Sequence, residues 1–349
     1  MDGVASPPLW AAQRRELLTF TNDQCQLVRI ETDDIDEAFR VFDSQNYRGK
    51  ALEPHDLLKA YHLREMRTET PASQAAAVET WESVQDEDLT RLFSTYLYRI
   101  LRWSRGESAL RFTAQDIGVF KRISAEGDLP PSSRYHLAAQ AARSLLDTMG
   151  ASRQLGERDA KRRRFQLDAP VLGGRSFFEM VTFMLDELKR LARESFLDGE
   201  GAPGGDETPS SDLGKFATYD LKVLLKQDAA KEQDRLHEAP SMSRYRYVCE
   251  LYLAALLYYT NRFGSEDIEP VRSHLFAWAY SLRVERLRVQ LRSVDNRARG
   301  DGDLARSAFV LLRNASSGRV IEQLPVALVP YQPDHEKALA DLLRGKADQ

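Results

Sequence analysis

Asn46, Arg48, Gly49 and Lys50 place a side-chain amide, two cations and the open backbone of a glycine turn within five residues. Such a turn can cradle a phosphate or another anion on its N–H groups while the cations neutralise it. The same residues also suit a helix-capping turn in which Arg48 and Lys50 are merely solvated. A second group of cations lies near the other end. Between residues 271 and 300 there are seven arginines, at 272, 283, 286, 288, 292, 297 and 299, against only Glu285 and Asp295. Arg283, Arg286, Arg288 and Arg292 are the candidates for facing DNA, the alternative being a helix whose arginines snorkel outward from a core.

The first group needs elements to hold it. Cys25 to Ile30 favours a short strand. Thr32 followed by Asp33, Asp34 and Asp36 is an N-cap with acid at the positive end of a helix, which the spacing of Ile35, Ala38, Phe39 and Phe42 carries to about Ser44. Gly49 offers the positive φ of a reversal. Pro54 suits a first helical turn, and Leu57, Leu58, Tyr61 and Leu63 to Met66 continue a second helix.

The run F-D-S-Q-N-Y-R-G-K-A-L-E-P-H-D-L-L-K resembles the F-E-x-L-N-x-R-G-x-x-L-x-x-x-D-L-L-K signature of the GmrSD-type restriction endonuclease family, in its ParB/sulfiredoxin-like domain. The matching positions are Phe42, Asn46, Arg48, Gly49, Leu52, Asp56, Leu57, Leu58 and Lys59. The segments R-Y-V-C-E-L-Y-L-A-A-L-L-Y-Y-T-N-R-F-G and F-A-W-A-Y-S-L-R are more loosely similar to the helical part of long members. The resemblance implies that Asn46, Arg48, Gly49, Lys50, Asp56 and Lys59 contact a nucleotide or DNA. It also implies nucleoside triphosphate and Mg as cofactors of the family, although nothing in this chain itself calls for one.

Two departures limit that implication. The family's D-G-Q-Q-R motif, associated with nucleotide hydrolysis, has no counterpart upstream of Asp33. Asp334-His335-Glu336 lacks the downstream Asn or second His that an HNH nuclease would require. The resemblance therefore places the chain against the C-terminal two-thirds of longer members. A lone strand at 25–31 would need sheet partners from a second subunit, a missing N-terminal domain, or local runs near Leu110–Phe112 and Val320–Val329.

The rest of the chain reads as mainly α, in two helical lobes after a remnant of the α/β ParB-like domain over residues 1–66. The first lobe, 67–197, should contain Ala75–Arg105 as one or two helices, then Thr113–Ile123 and Ser132–Met149. A surface connection with the cations Lys161 to Arg164 follows over Gly150–Arg175, and then a helix over Phe177–Phe196. The Gly-, Pro- and acid-rich segment 198–214 predicts a flexible linker. The second lobe, 215–349, should hold a central buried helix over Tyr245–Phe263, stopped at Gly264, and another over Glu269–Val294. On the latter Arg283 falls near the apolar face, which requires a carboxylate or anion to pair with it.

A net charge of −4 with 42% hydrophobic and 29% charged residues predicts a soluble, cytoplasmic protein that does not bind nucleic acid indiscriminately. The most apolar run, Val248–Tyr259, is too short to span a bilayer. Cys25 and Cys249 suit reduced core positions, and the six histidines show no metal-ligand spacing. Two functions are compatible with all this. One is a component of a restriction or anti-phage defence system that supplies part of a nucleotide- or DNA-contacting site and is not catalytic alone. The other is a non-catalytic helical scaffold for protein interaction.

Overall fold

A computed structural model describes residues 7–26, 52–121, 156–170, 173–196, 243–266, 268–301, 306–326, 328–332 and 336–347, with isolated positions between them. The protein is mainly α and multi-helical, and no strand occurs among the described residues. It divides into two compact units, Met1–Leu52 and Glu53–Gln349.

The first unit contains α1 (Pro7–Gln24), a helix the sequence reading did not foresee. Trp10, Leu17, Leu18 and Phe20 on it are more than half exposed. Of the expected strand, Cys25 and Gln26 belong to no element and residues 27–30 lie outside the described residues. Within the expected 33–44 helix only Glu37 is described, and it is helical.

The second unit begins with α2 (Pro54–Glu65), with Pro54 in the first turn as expected. α3 (Pro71–Glu82) starts at Thr70, whose Oγ1 accepts from the Ser73 N–H. The chain breaks at Ser83–Gln85 and restarts on the acidic turn Asp86–Asp88 as α4 (Asp86–Arg91). A π-helical segment (Leu92–Leu97) carries it into α5 (Tyr98–Trp103). Ala75–Arg105 is thus two helices. The helix expected over Thr113–Ile123 is instead a short 3₁₀ turn, Asp116–Val119, because the Asp116 carboxylate accepts from both the backbone N–H and the hydroxyl of Thr113.

Three further elements precede the C-terminal helices. α6 (Glu157–Arg164) lies where a surface connection was expected, and α7 (Arg175–Phe196) follows it. α6 forms because Glu157 and Asp159 sit at its positive end and four cations at its negative end, with Lys161 paired to Glu157 one turn away at 2.8 Å. The segment 198–214 lies outside the described residues. α8 (Ser243–Phe263) is buried on nearly every side, as its sequence predicts, and Gly264 ends it at φ +94°. α7 packs directly on α8, so the helices on either side of 198–214 share one core.

That core is aromatic. Trp81, Phe93, Phe177 and Phe178 stack or meet edge to face, and the His62 ring lies flat on Phe177 with centroids 3.6 Å apart. His62 is fully buried and links three elements: Nδ1 accepts from the Gly174 N–H, so Nε2 donates to the Phe120 carbonyl. α9 (Ile268–Glu285) and α12 (Lys337–Ala347) pack against one another, while α10 (Leu291–Arg299) and α11 (Ala308–Asn314) close over α5 and α8. No helix among the described residues is long and apolar enough to cross a membrane.

Candidate nucleic-acid interface

The helix expected over Glu269–Val294 is broken, and the break creates a site. α9 stops at Glu285, residues 286–290 form a loop, and α10 starts at Leu291. Neither Pro nor Gly marks the position. The cause is Arg283, whose Nη1 donates to the carbonyls of Arg286 and Leu287 at 2.9 and 2.8 Å and folds the chain back over the helix end. Its Nε reaches Glu336 Oε1 at 2.9 Å, and both side chains are 5% exposed. Tyr245 donates its hydroxyl to the other Glu336 oxygen at 2.5 Å. Glu336 itself is held at φ +52°, a backbone strain these contacts offset. The expectation that Arg283 is buried and paired with a carboxylate is met, and the guanidinium consequently points into the protein rather than toward a partner.

Arg286, Leu287 and Arg288 are exposed on the loop, and Arg292 is exposed on the first turn of α10. Arg288 and Arg292 have no ion pair or hydrogen bond among the described residues. With Glu285 and Tyr331, the loop lines a shallow concavity of about 390 Å³. Tyr331 is anchored by its N–H on the Val284 carbonyl at 3.0 Å, yet its side chain is 51% exposed, as Leu287 is at 54%. The nearby acids are already occupied: Arg297 Nη2 is 2.6 Å from both oxygens of Glu285, and Glu336 serves Arg283. Three exposed arginines thus stand beside an exposed ring and an exposed leucine, a pairing of cations with apolar surface.

The α10 side of the loop is held rigidly by Asp295. Buried at 1% exposure, it accepts from Trp103 Nε1 (2.8 Å), Ser108 Oγ (2.8 Å), the Ala109 N–H (2.7 Å) and Arg299 Nε (3.2 Å). Arg297 and Arg299 are therefore structural. Sequence reasoning missed Asp295, Tyr245, Tyr331 and the pairing role of Glu336. Their partners are far apart along the chain, and no local pattern marks them.

The other predicted site is only partly described. Asn46, Arg48, Gly49 and Lys50 lie outside the described residues. Asp56 stands in the first turn of α2, and Lys59 Nζ donates to Glu82 Oε1 at 2.8 Å, tying α2 to α3. Leu58 is fully buried. The principal neighbours of α2 are α7 and the 3₁₀ turn at Asp116, away from the elements that build the arginine loop. Within Asp334-His335-Glu336 only Glu336 is described. Among the described residues no three His, Cys, Asp or Glu side chains converge to hold a metal ion.

The fold and this site define a multi-helical α protein with a basic, partly apolar loop on its surface. The chain belongs to a family of unknown function, DUF7834, whose model matches residues 73–338. No curated protein matches it, and no solved structure does. The matched span includes the arginine loop and stops short of the N-x-R-G turn and D-L-L-K, which precede residue 73.

Proposed function

We propose that this protein is a DNA-contacting component of a restriction or anti-phage defence system that does not cleave DNA by itself. The observation that carries the reading is the helix break at 286–290, which exposes Arg286, Arg288 and Arg292 beside Leu287 and Tyr331 while Glu285 and Glu336 are spent on buried cations. Its affinity would come chiefly from phosphate contacts and would depend strongly on salt. The defence role rests on the likeness of residues 42–59 to the GmrSD-type signature. Hydrolysis of a nucleotide with Mg then belongs to a second subunit or domain. The test is fluorescence anisotropy with a labelled duplex and a labelled single strand, comparing the native chain with Arg288→Glu/Arg292→Glu. Loss of binding on charge reversal supports the reading, and equal binding by both proteins refutes it.

A second reading, a helical platform for protein interaction, is favoured by α1, where Trp10, Leu17, Leu18 and Phe20 stay exposed. Large apolar side chains grouped on one surface helix suit a partner polypeptide better than solvent. If that partner is a second copy of the chain, size-exclusion light scattering should give the native chain a dimer mass that Leu17→Lys/Phe20→Lys lowers to the monomer mass; equal masses would refute self-association through α1.

A further inference from the structure

A groove of about 460 Å³ opens between α3, α6 and α7, on elements that do not include the arginine loop. From it we infer a binding site for a small organic anion whose ring-sized apolar body carries one phosphate, sulfonate or carboxylate. The volume lies within the range of small-molecule sites. The floor is aromatic, made by the buried rings of Phe165, Phe178 and Phe183, and the α3 wall presents only small side chains at Ala76 and Ala77. That wall leaves room for a flat group over the ring edges. α6 and α7 supply the charge.

Lys161, Arg164 and Arg175 line the mouth, and each side chain is about half exposed, at 53%, 53% and 51%. Their charged partners lie outside it. Lys161 reaches Glu157, which is 83% exposed, and Arg175 reaches Glu69 at 3.4 Å and donates to the Ser73 hydroxyl on the α3 wall; neither carboxylate lines the groove. Exposed pairs of this kind contribute little and exchange readily. Arg164 pairs with Glu179 at 2.9 Å, and its guanidinium sits 5.0 Å from the centre of the Phe165 ring. Because Glu179 itself lines the groove, Arg164 is already matched there, whereas Lys161 and Arg175 are the lining cations whose carboxylates lie outside it. With Glu179 and Asp186 as the lining acids, the groove retains an excess of one positive charge.

The test uses 8-anilinonaphthalene-1-sulfonate, a two-ring body with one anionic group, and its neutral counterpart N-phenyl-1-naphthylamine. Fluorescence titration of the native protein is expected to give saturable binding of one sulfonate per chain, at least tenfold tighter than the neutral ring system. Lys161→Gln/Arg175→Gln should weaken the sulfonate about tenfold and leave the neutral probe unchanged. Ala77→Trp, which fills the groove, should abolish both. Arg288→Ala/Arg292→Ala should bind the sulfonate normally, which separates this site from the DNA-contacting loop. Equal affinity for the two probes, or unchanged sulfonate binding in Lys161→Gln/Arg175→Gln, overturns the inference. So does loss of sulfonate binding in the arginine-loop variant.

Discussion

If the arginine loop contacts phosphates, the double variant Arg288→Ala/Arg292→Ala changes the salt dependence of DNA binding by an amount that can be stated beforehand. Each neutralised phosphate contributes about 0.9 to the slope of log affinity against log salt on duplex DNA. Arg286, Arg288 and Arg292 together predict a slope of about −2.7, and the double variant about −0.9. At about 0.1 M salt each lost contact weakens binding by about eightfold relative to the 1 M reference, so losing two costs about sixtyfold.

The structure also predicts that this variant folds normally. Both side chains are exposed and engage nothing among the described residues, so their truncation should alter stability by no more than about 0.5 kcal/mol. Arg286 is left in place so that one phosphate contact remains to be measured. The assay is anisotropy of a labelled duplex at a series of KCl concentrations, paired with urea unfolding of each protein. Binding that persists with an unchanged slope in a normally folded variant would refute the phosphate contacts. Absence of binding by the native chain to both duplex and single strand even at low salt would refute the interface altogether.

Three further outcomes follow from the same geometry. Arg283→Met leaves the Glu336 carboxylate buried without its guanidinium and two carbonyls without their donor, so it should cost about 3–5 kcal/mol by urea denaturation; a loss below about 1 kcal/mol would contradict its role in breaking the helix. Asp295→Ala strands the donors of Trp103, Ser108 and Ala109, which predicts about 3–6 kcal/mol of destabilisation, and a near-neutral result would mean that water replaces the carboxylate. Burial pushes the Asp116 carboxyl upward, but bonds from the Thr113 hydroxyl and N–H and the Tyr98 hydroxyl outweigh it and hold the carboxyl below its ordinary value. Its folded value thus lies under the unfolded one, so its contribution is complete above about pH 4 and disappears as pH falls through the folded value. The stability gap between the native protein and Asp116→Asn should therefore shrink on acidification from pH 5 to 3, and a constant gap would show that the carboxylate's charge plays no part.

What the sequence disclosed was whatever is periodic or local. The apolarity of Val248–Tyr259 announces a buried helix, Gly264 announces its end, and the position of Arg283 near an apolar face demands a carboxylate. α6 was legible in principle, since E-R-D-A-K-R-R-R carries acid first and base last, but a run of four cations reads as a loop when its order is ignored. The tie of His62 to Phe120 and Gly174, and of Asp295 to Trp103 and Ala109, spans 58 to 192 residues of sequence, and no window of spacing contains such pairs. The helix break belongs to the same class. It depends on Glu336 fixing Arg283 from α12's N-terminal end, and nothing between 285 and 291 signals it.

That dependence explains why a basic stretch becomes a basic surface at one place only. Of the seven arginines between 271 and 300, Arg272 is taken by Glu194 and Glu269, Arg283 by Glu336, Arg297 by Glu285 and Arg299 by Asp295 and Asp301. Two of those acids, Glu194 and Glu336, arrive from distant helices, so the local excess of cations is smaller in space than in sequence. In an unbroken helix Arg286 and Arg288 would flank Leu287, about 100° to either side of it, and Leu287 would join the apolar face. With the helix broken, Arg286, Leu287, Arg288 and Arg292 all reach solvent while Val289 and Val294 stay buried. A buried ion pair between α9 and the start of α12 thereby turns the end of a helix into an exposed basic loop whose neighbouring acid, Glu285, is paired with Arg297.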